Sequence, residues 1–452
     1  NDLWVRLMKK KKQSKRRNVS KKSPKRGKQV KKPRKAAAKK KKAPKAAAKS
    51  KRIPRHRRPV VVRRRQVESP RKQSAEKPEI SAKLVKEPVH RAAPKRQLLL
   101  CPGPVNLSQH VKAALAGPDM CHREREFSEL LQTVRVKLVH ALGLGDRYTA
   151  VLIGGSGTAA LEAAIISSVE PNKKLLVVNN GVYGSRIAQI ARLHGLGLTE
   201  IRSPIREKPD LNRVAAALKR DAKITTVAMV HHETSTGMIN PVEEVGALTK
   251  KLHRHFLVDA ISSLGAQKLD LHKHHIGFCV GSTGKALHGA AGLSFVLLSQ
   301  PEAARVLKMR PASMYLNLGQ QLRAQEASEP TFTPPVQLVL ALNAALDELV
   351  KEGLNSRIAS YKERAVLLRS GFKKLDLELI LGDKELSNSL TALWLPKGIE
   401  YEKLHQSLKK SGFVIYSGQS ELRNKIFRVA HMGGVTQSDL REFLKSLEFV
   451  LE

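Results

Sequence analysis

Between residues 149 and 298, short β-rich apolar runs alternate with helical patterns, and no other feature restricts the fold of this chain so far. The runs cover 149–153, 174–178, 225–230, 256–259, 276–280 and 293–298, with helical periodicity near 158–168, 184–195, 210–219 and 241–254. Such alternation predicts an α/β fold with a mostly parallel sheet and helices on both faces. Ligands of these sheets lie at the carboxyl ends of the strands. The loops leaving each run are therefore where chemistry is expected.

The flanks complete the architecture. Leu98-Leu99-Leu100-Cys101-Pro102-Gly103-Pro104 reads as an apolar strand entering a rigid turn, followed by helices over 108–116 and, after the charged stretch 122–127, to about Leu142. After Pro334-Pro335 comes one long helical pattern through about Lys374. Strands at 390–395, 412–416 and 426–430 and helices at 400–410 and 437–450 then predict a smaller α/β domain. The expected organisation is a tail over 1–96, a large domain over 97–334 whose N-terminal segment reaches the small domain, and a small domain over 335–452.

The 452 residues carry a formal net charge of +44, unevenly spread. Residues 1–96 hold 39 Lys and Arg against 5 Asp and Glu, and Trp4 is their only aromatic residue. A tail of this composition has no core to offset ordering entropy and is expected to be disordered. It resembles the lysine-, alanine- and proline-rich tails of linker-histone-like proteins. Its expected partner is a phosphate backbone, bound without sequence preference through counterion release, or it is simply a solvated tail. Three cysteines are too few for a disulfide framework and suit a reducing compartment such as the cytoplasm. No apolar run approaches membrane-spanning length. The chain begins at Asn1, with Met8 expected as an initiator.

Four strand-end loops carry candidate chemistry. Gly154-Gly155-Ser156-Gly157-Thr158 leaves a strand and opens a helix, the setting in which backbone N–H groups and hydroxyls cradle a phosphate. It is neither a Walker A loop nor a dinucleotide fingerprint. Asn180-Gly181-Val182-Tyr183-Gly184 offers a tyrosine that can stack on a flat ring. Val258-Asp259-Ala260 ends in a carboxylate able to keep a pyridine nitrogen protonated, and Gly281-Ser282-Thr283-Gly284-Lys285 supplies an amine whose pKa burial lowers. Singly, these are also consistent with a tight turn, a core tyrosine, a capping aspartate and a solvated lysine. In order at successive strand ends, they form the parts needed for pyridoxal 5'-phosphate, with Lys285 as Schiff-base lysine. His231-His232-Glu233-Thr234 reads as a polar cluster on a ligand-facing loop; the two histidines fall on opposite faces of a strand, so no metal is expected.

On these residues, with His-x-Glu-Thr-x-Thr-Gly-Met at 231–238 and Val-Asp-Ala-x-Ser-Ser at 258–263, residues 97–452 resemble the class V aminotransferases of the fold-type-I pyridoxal-phosphate enzymes. The likeness is greatest to members that exchange the amino group of 2-aminoethylphosphonate with pyruvate. It implies Lys285 and Asp259 as the catalytic pair, Tyr183 over the ring, Thr234 beside the ring hydroxyl, and Ser156, Gly157 and Thr158 around the phosphate. It also implies Thr333 reaching the phosphate of a neighbouring subunit in a homodimer, and Arg428 and Gly103 at the substrate, with Arg428 gripping a carboxylate. The chain departs from the family at Gly284, where Asn is common, at Ala290-Ala291, where Val-Pro is common, and over 314–329. The alternatives are an alanine– or serine–glyoxylate type of class V enzyme, or a nucleic-acid-associated protein with a catalytically silent body. A cysteine desulfurase is disfavoured, because no cysteine follows Cys279.

Overall fold

The computed structural model describes residues 97–452; the tail expected to be disordered and to bind polyanions, residues 1–96, lies outside the described residues. Strand β1 (Leu98–Leu99) precedes helices α1 (Gln109–Leu115) and α2 (Arg125–Ala141). Then β2 (Tyr148–Gly154), α3 (Gly157–Ile166), β3 (Lys174–Asn179), α4 (Val182–Leu193), β4 (Gly197–Arg202), α5 (Leu211–Arg220) and β5 (Ile224–Val230) alternate. A hairpin of β6 (His232–Glu233) and β7 (Met238–Ile239) leads to α6 (Val242–Lys251), β8 (His255–Asp259), β9 (Phe278–Ser282) and β10 (Leu293–Ser299). Helices α7 (Gln300–Val306), α8 (Leu318–Glu326), α9 (Val336–Glu352) and α10 (Leu354–Lys374) follow. The chain ends with β11 (Leu390–Trp394), α11 (Tyr401–Lys410), β12 (Phe413–Val414), β13 (Tyr416–Ser417), β14 (Ile426–Ala430) and α12 (Gln437–Leu451).

Seven strands form the central sheet in the order β2-β10-β9-β8-β5-β3-β4. Every neighbouring pair is parallel except those made by β10, which runs antiparallel to both β2 and β9. The reason is the short link between β9 and β10, residues 283–292. A parallel return would need a crossover of a dozen residues or more. Side chains alternate between two cores: Leu176, Val178, Val227 and Met229 face one, Leu175, Val177, Ala228 and Val230 the other. Burial on both faces is why these strands read as continuous apolar runs.

Strand β2 is an edge of the sheet, and polar side chains close it. Gln325 of α8 accepts from Leu152 N at 2.9 Å and donates to Leu152 O at 2.7 Å, as a partner strand would. The buried Arg135 of α2 donates through Nε to Ala150 O at 2.8 Å and through Nη2 to Glu326 at 2.6 Å.

A second sheet, β11-β14-β13, is antiparallel, and β1 pairs parallel with β12. Four details differ from the sequence reading. The long helical pattern through Lys374 is two helices, because Gly353 takes φ +84° and stops α9 as a C-terminal glycine does. The strand at 412–416 is two pieces, β12 and β13, that pair with different strands across the buried Ile415. Strand β4 went unread because only Ile201 on it is buried. Helices α7 and α8 also went unread; in α8 the buried glutamines look like surface residues. Among the described residues no helix is long and apolar enough to cross a membrane.

Gly281 sits across from Phe295 in the β9–β10 ladder, and a Cβ there would lie 2.2 Å from the buried Phe295 ring. Alanine would suit a strand better than glycine, yet the ring has no room to yield, so overpacking decides the sign. We expect Gly281→Ala to destabilise the protein by about 2 kcal/mol in urea melts; a gain in stability would contradict this packing.

Candidate active site

Lys285 stands in the link between β9 and β10, and hydrogen bonds hold that link tightly. Thr283 N and Oγ1 donate to Leu293 O, Gly289 N to Thr283 O at 2.9 Å, and His288 N to Lys285 O at 3.0 Å. A Cβ on Gly284 would lie 2.9 Å from Ala291 Cα. Gly284 and Ala291 thus form one packing contact, in which backbone fills the space a side chain would need. Lys285 Nζ donates to Pro102 O, and a Cβ on Gly103, at φ +121°, would overlap that amine. Residue 103 must therefore be glycine for the lysine to lie there.

Asp259 ends β8, the strand next to β9, and is 4% exposed. Its Oδ1 accepts from Ile261 N at 3.0 Å. Burial pushes its pKa from the ordinary 3.8 up to about 6; Glu233 adds to the rise, while the Ile261 amide, Arg186 and Lys285 oppose it. Burial lowers Lys285; Cys101 and Asp259 oppose that fall and Arg186 and Arg428 add to it. The two groups are each moved toward neutrality and feel each other's charge.

Ser156 is the N-cap of α3 but makes no side-chain cap bond, so its hydroxyl is not spent on the helix. Gly157 lies against Ile261, where a Cβ would come within 2.7 Å of Cδ1. Thr158 Oγ1 accepts from Arg186 Nη1 at 3.3 Å, and the same guanidinium lies 4.7 Å from the Tyr183 ring centroid. A cavity of about 1190 Å³ opens beside Gly181 and Arg186, away from Lys285 and Asp259.

Sequence reasoning gave no role to Glu233, although it stands inside a quoted motif. This fully buried carboxylate accepts from Tyr183 N at 3.0 Å and Gly184 N at 3.3 Å, capping α4 from another strand. Burial raises its pKa, and the Ser235 and backbone donors counter that rise. Arg186 was missed too; its spacing after Tyr183, one helical turn, was the available signal.

Arg428, on β14, is 2% exposed and donates to Ser417 O at 2.9 Å and to Thr234 O at 2.8 Å, joining the second sheet to the turn between β6 and β7. Burial lowers its pKa, with Tyr183 the first of the groups that oppose this. Ser156, Gly157, Thr158, Tyr183, Thr234, Asp259, Lys285, Arg428 and Gly103 thus belong to one region through Arg186, Ile261, Thr234 and Lys285. Thr333 stands apart: it is exposed on a loop beside Gly154 and Tyr315.

These residues fit pyridoxal phosphate. The carboxyl of Asp259 is buried without a cation bonded to it, so a protonated ring nitrogen would complete it. A helix N-terminus with an uncommitted serine and a guanidinium nearby suits a phosphate.

Residues 106–435 match the family described as aminotransferase class-V. Over 354 residues the chain is 37% identical to a 2-aminoethylphosphonate–pyruvate transaminase of Syntrophobacter fumaroxidans, covering 77% of this chain and 95% of that protein. A Klebsiella pneumoniae protein of the same description is 35% identical over 357 residues, covering 78% and 96%. The crystal structure of an alanine–glyoxylate aminotransferase from Nostoc sp. superposes with a TM-score of 0.76 at 25% identity, covering 82% of this chain and 98% of that one.

The raised pKa of Asp259 has a consequence for stability. The folded chain holds a proton that the unfolded chain releases between about pH 4 and 6, so this group's contribution falls as pH rises through that window. Without cofactor, Asp259→Asn is expected to be more stable than wild type at about pH 7.5 by up to about 3 kcal/mol, the gap closing near pH 4. Urea melts at both pH values read it; equal stability at the higher pH would show that the carboxyl is not strained by burial.

Proposed function

This chain belongs to the class V aminotransferase family, and from that membership we propose that it transfers the amino group of 2-aminoethylphosphonate to pyruvate, yielding phosphonoacetaldehyde and L-alanine. The observation that carries this reading is identity of 34–37% to transaminases of that description over most of both chains. Pyridoxal 5'-phosphate, when bound, supplies the electron sink and carries the amino group between the two substrates.

Lys285 would hold the cofactor's aldehyde carbon, Asp259 its ring nitrogen, Tyr183 its face and Thr234 its ring hydroxyl. Ser156, Gly157 and Thr158 would take its phosphate, with Thr333 of the partner subunit completing that site in a homodimer. Lys285 Nζ, made less basic by burial, takes the proton from the substrate carbon that bears the amine. Asp259 would hold a proton at the ring nitrogen, an arrangement favoured by a buried carboxylate to which no cation is hydrogen-bonded. Arg428 spends Nε and Nη1 on Ser417, Thr234 and Gln419, so Nη2 is the edge it offers to the pyruvate carboxylate. A reducing compartment such as the cytoplasm suits free Cys101, Cys121 and Cys279.

The test sets alanine formation from 2-aminoethylphosphonate plus pyruvate side by side with glycine formation from alanine plus glyoxylate and from serine plus glyoxylate. We expect kcat/KM to be highest for 2-aminoethylphosphonate, and Lys285→Ala to lower kcat at least about 10³-fold. A higher kcat/KM for serine or alanine would move the chain to the glyoxylate type within the same family. Density of charge in residues 1–96 also supports polyanion binding by the tail. Duplex DNA affinity is expected to fall linearly in log–log with salt and to vanish when the tail is deleted.

A further inference from the structure

The end of the central sheet opposite Lys285 and Asp259 carries a groove of about 660 Å³. It lies where three parallel strands begin: Lys174 opens β3, Gly197 opens β4, and Lys223 immediately precedes β5. Lys174 N donates to Lys223 O at 2.8 Å, which brings two of the groove's loops together. The lining holds four cations, Lys173, Lys174, Lys223 and Arg310, against one carboxylate, Glu170. Asp221 answers Lys174 at 2.8 Å, and Glu170 faces Arg305 at 3.8 Å. Lys173, Lys223 and Arg310 have no carboxylate partner among the described residues.

Basic residues at this end of an α/β sheet have an ordinary cause, since helices finish there and cations suit their last turns. That cause covers Arg192 of α4, Lys219 and Arg220 of α5, and Lys250 and Lys251 of α6. It does not cover the groove. Lys173 and Lys223 stand in the loops entering β3 and β5, and Arg310 lies beyond α7, so none belongs to a final helical turn.

The walls between these cations include the apolar Ile166, Val169, Leu196 and Met309, and low-dielectric walls concentrate the field of a one-sign set. Lys223 and Arg310 are exposed, so water would screen a single small ion there. A row of phosphates gains instead, because each contact releases counterions. No aromatic side chain lines the groove, so bases have nothing to stack on. The recess takes a ridge, such as a phosphate backbone, whereas a bilayer surface is flat.

We propose that this groove is a second footprint for duplex nucleic acid, in which Lys173, Lys223 and Arg310 contact phosphates without reading sequence. The inference rests on the tail, residues 1–96, as the part that captures the polymer. Three contacts are too few to hold a duplex alone, so the groove acts while the tail keeps the polymer at high local concentration. Its place at the strand beginnings leaves the carboxyl ends, with Asp259 and Lys285, open while nucleic acid is bound.

Lysine acetylation of the full chain, with and without duplex DNA and read residue by residue by mass spectrometry, locates the contacts. Tail lysines, Lys173 and Lys223 are expected to be protected, while Lys362, Lys409 and Lys410, exposed on α10 and α11, react as before. Replacing Lys173, Lys223 and Arg310 together by glutamine is expected to lower the slope of log affinity on log salt by about 3. The same change at Lys362, Lys409 and Lys410 is expected to leave it unmoved. Protection of the tail alone, or an unmoved slope in the groove variant, overturns the proposal and leaves the tail reading standing. Absence of protection anywhere overturns both. Equal protection of Lys362, Lys409 and Lys410 marks a polymer that coats the whole body, and likewise overturns the groove. Vesicles of phosphatidylserine and phosphatidylcholine form the parallel arm; if they protect Lys173 and Lys223 as strongly as DNA does, the nucleic-acid assignment falls.

Discussion

Lys285 and Asp259 leave adjacent strands of a sheet that is covered on both faces, and the partial exclusion of water there governs the rest of the site. Burial disfavours charge on each: it lowers the amine and raises the carboxyl. Two groups nudged toward neutrality in one pocket are poised to exchange protons with a bound molecule rather than with solvent. The scaffold exists to hold that condition. Strands buried on both faces, an edge sealed by Gln325 and Arg135, and a link from β9 to β10 tied at four points all restrict how far the two strand ends can drift.

Helix α10 is the strut that keeps the lysine and the arginine in register. Tyr361 Oη lies 2.7 Å from His288 Nε2, three residues after Lys285, and accepts from Gly433 N at 3.2 Å, in the loop following the strand of Arg428. Arg357 on the same helix donates to Ala286 O, and Arg364 donates to Val435 O at 2.7 Å while lying over the Tyr361 ring. Rotation of α10 would therefore move both functional loops together, not one against the other. That coupling accounts for the burial of Arg357 and Arg364 on a helix whose lysines, Lys362, Lys373 and Lys374, are exposed.

The parallel sheet was legible because its strands are apolar on both faces, and the placement of Lys285, Asp259 and Tyr183 followed from strand ends alone. What could not be read was side-chain amide and guanidinium groups doing the work of backbone. Gln325 imitates a strand and Arg135 reaches a carbonyl, yet in sequence both look like helix surface. Nor could the break at Gly353 be told from a tolerated mid-helix glycine, since only its positive φ decides the matter.

The motifs at 180–184 and 231–238 illustrate the deeper limit. Read along the chain they are two independent polar loops, each with its own bland explanation. In space they are one unit: the Glu233 carboxylate fills the place of a cap for α4, taking the Tyr183 and Gly184 amides that no earlier helical turn could satisfy. Gly181 is glycine for the same reason, since a Cβ there would lie 2.4 Å from Glu233 Cδ. A negative group at that helix start is favoured by the helix dipole, which offsets part of what burying it costs. The ring of Tyr183 is thereby set by a residue fifty positions away on another strand, with Arg186 one turn further along stacked on the same ring. Sequence spacing within either motif encodes the backbone; only the pairing of the two encodes the direction in which the tyrosine faces.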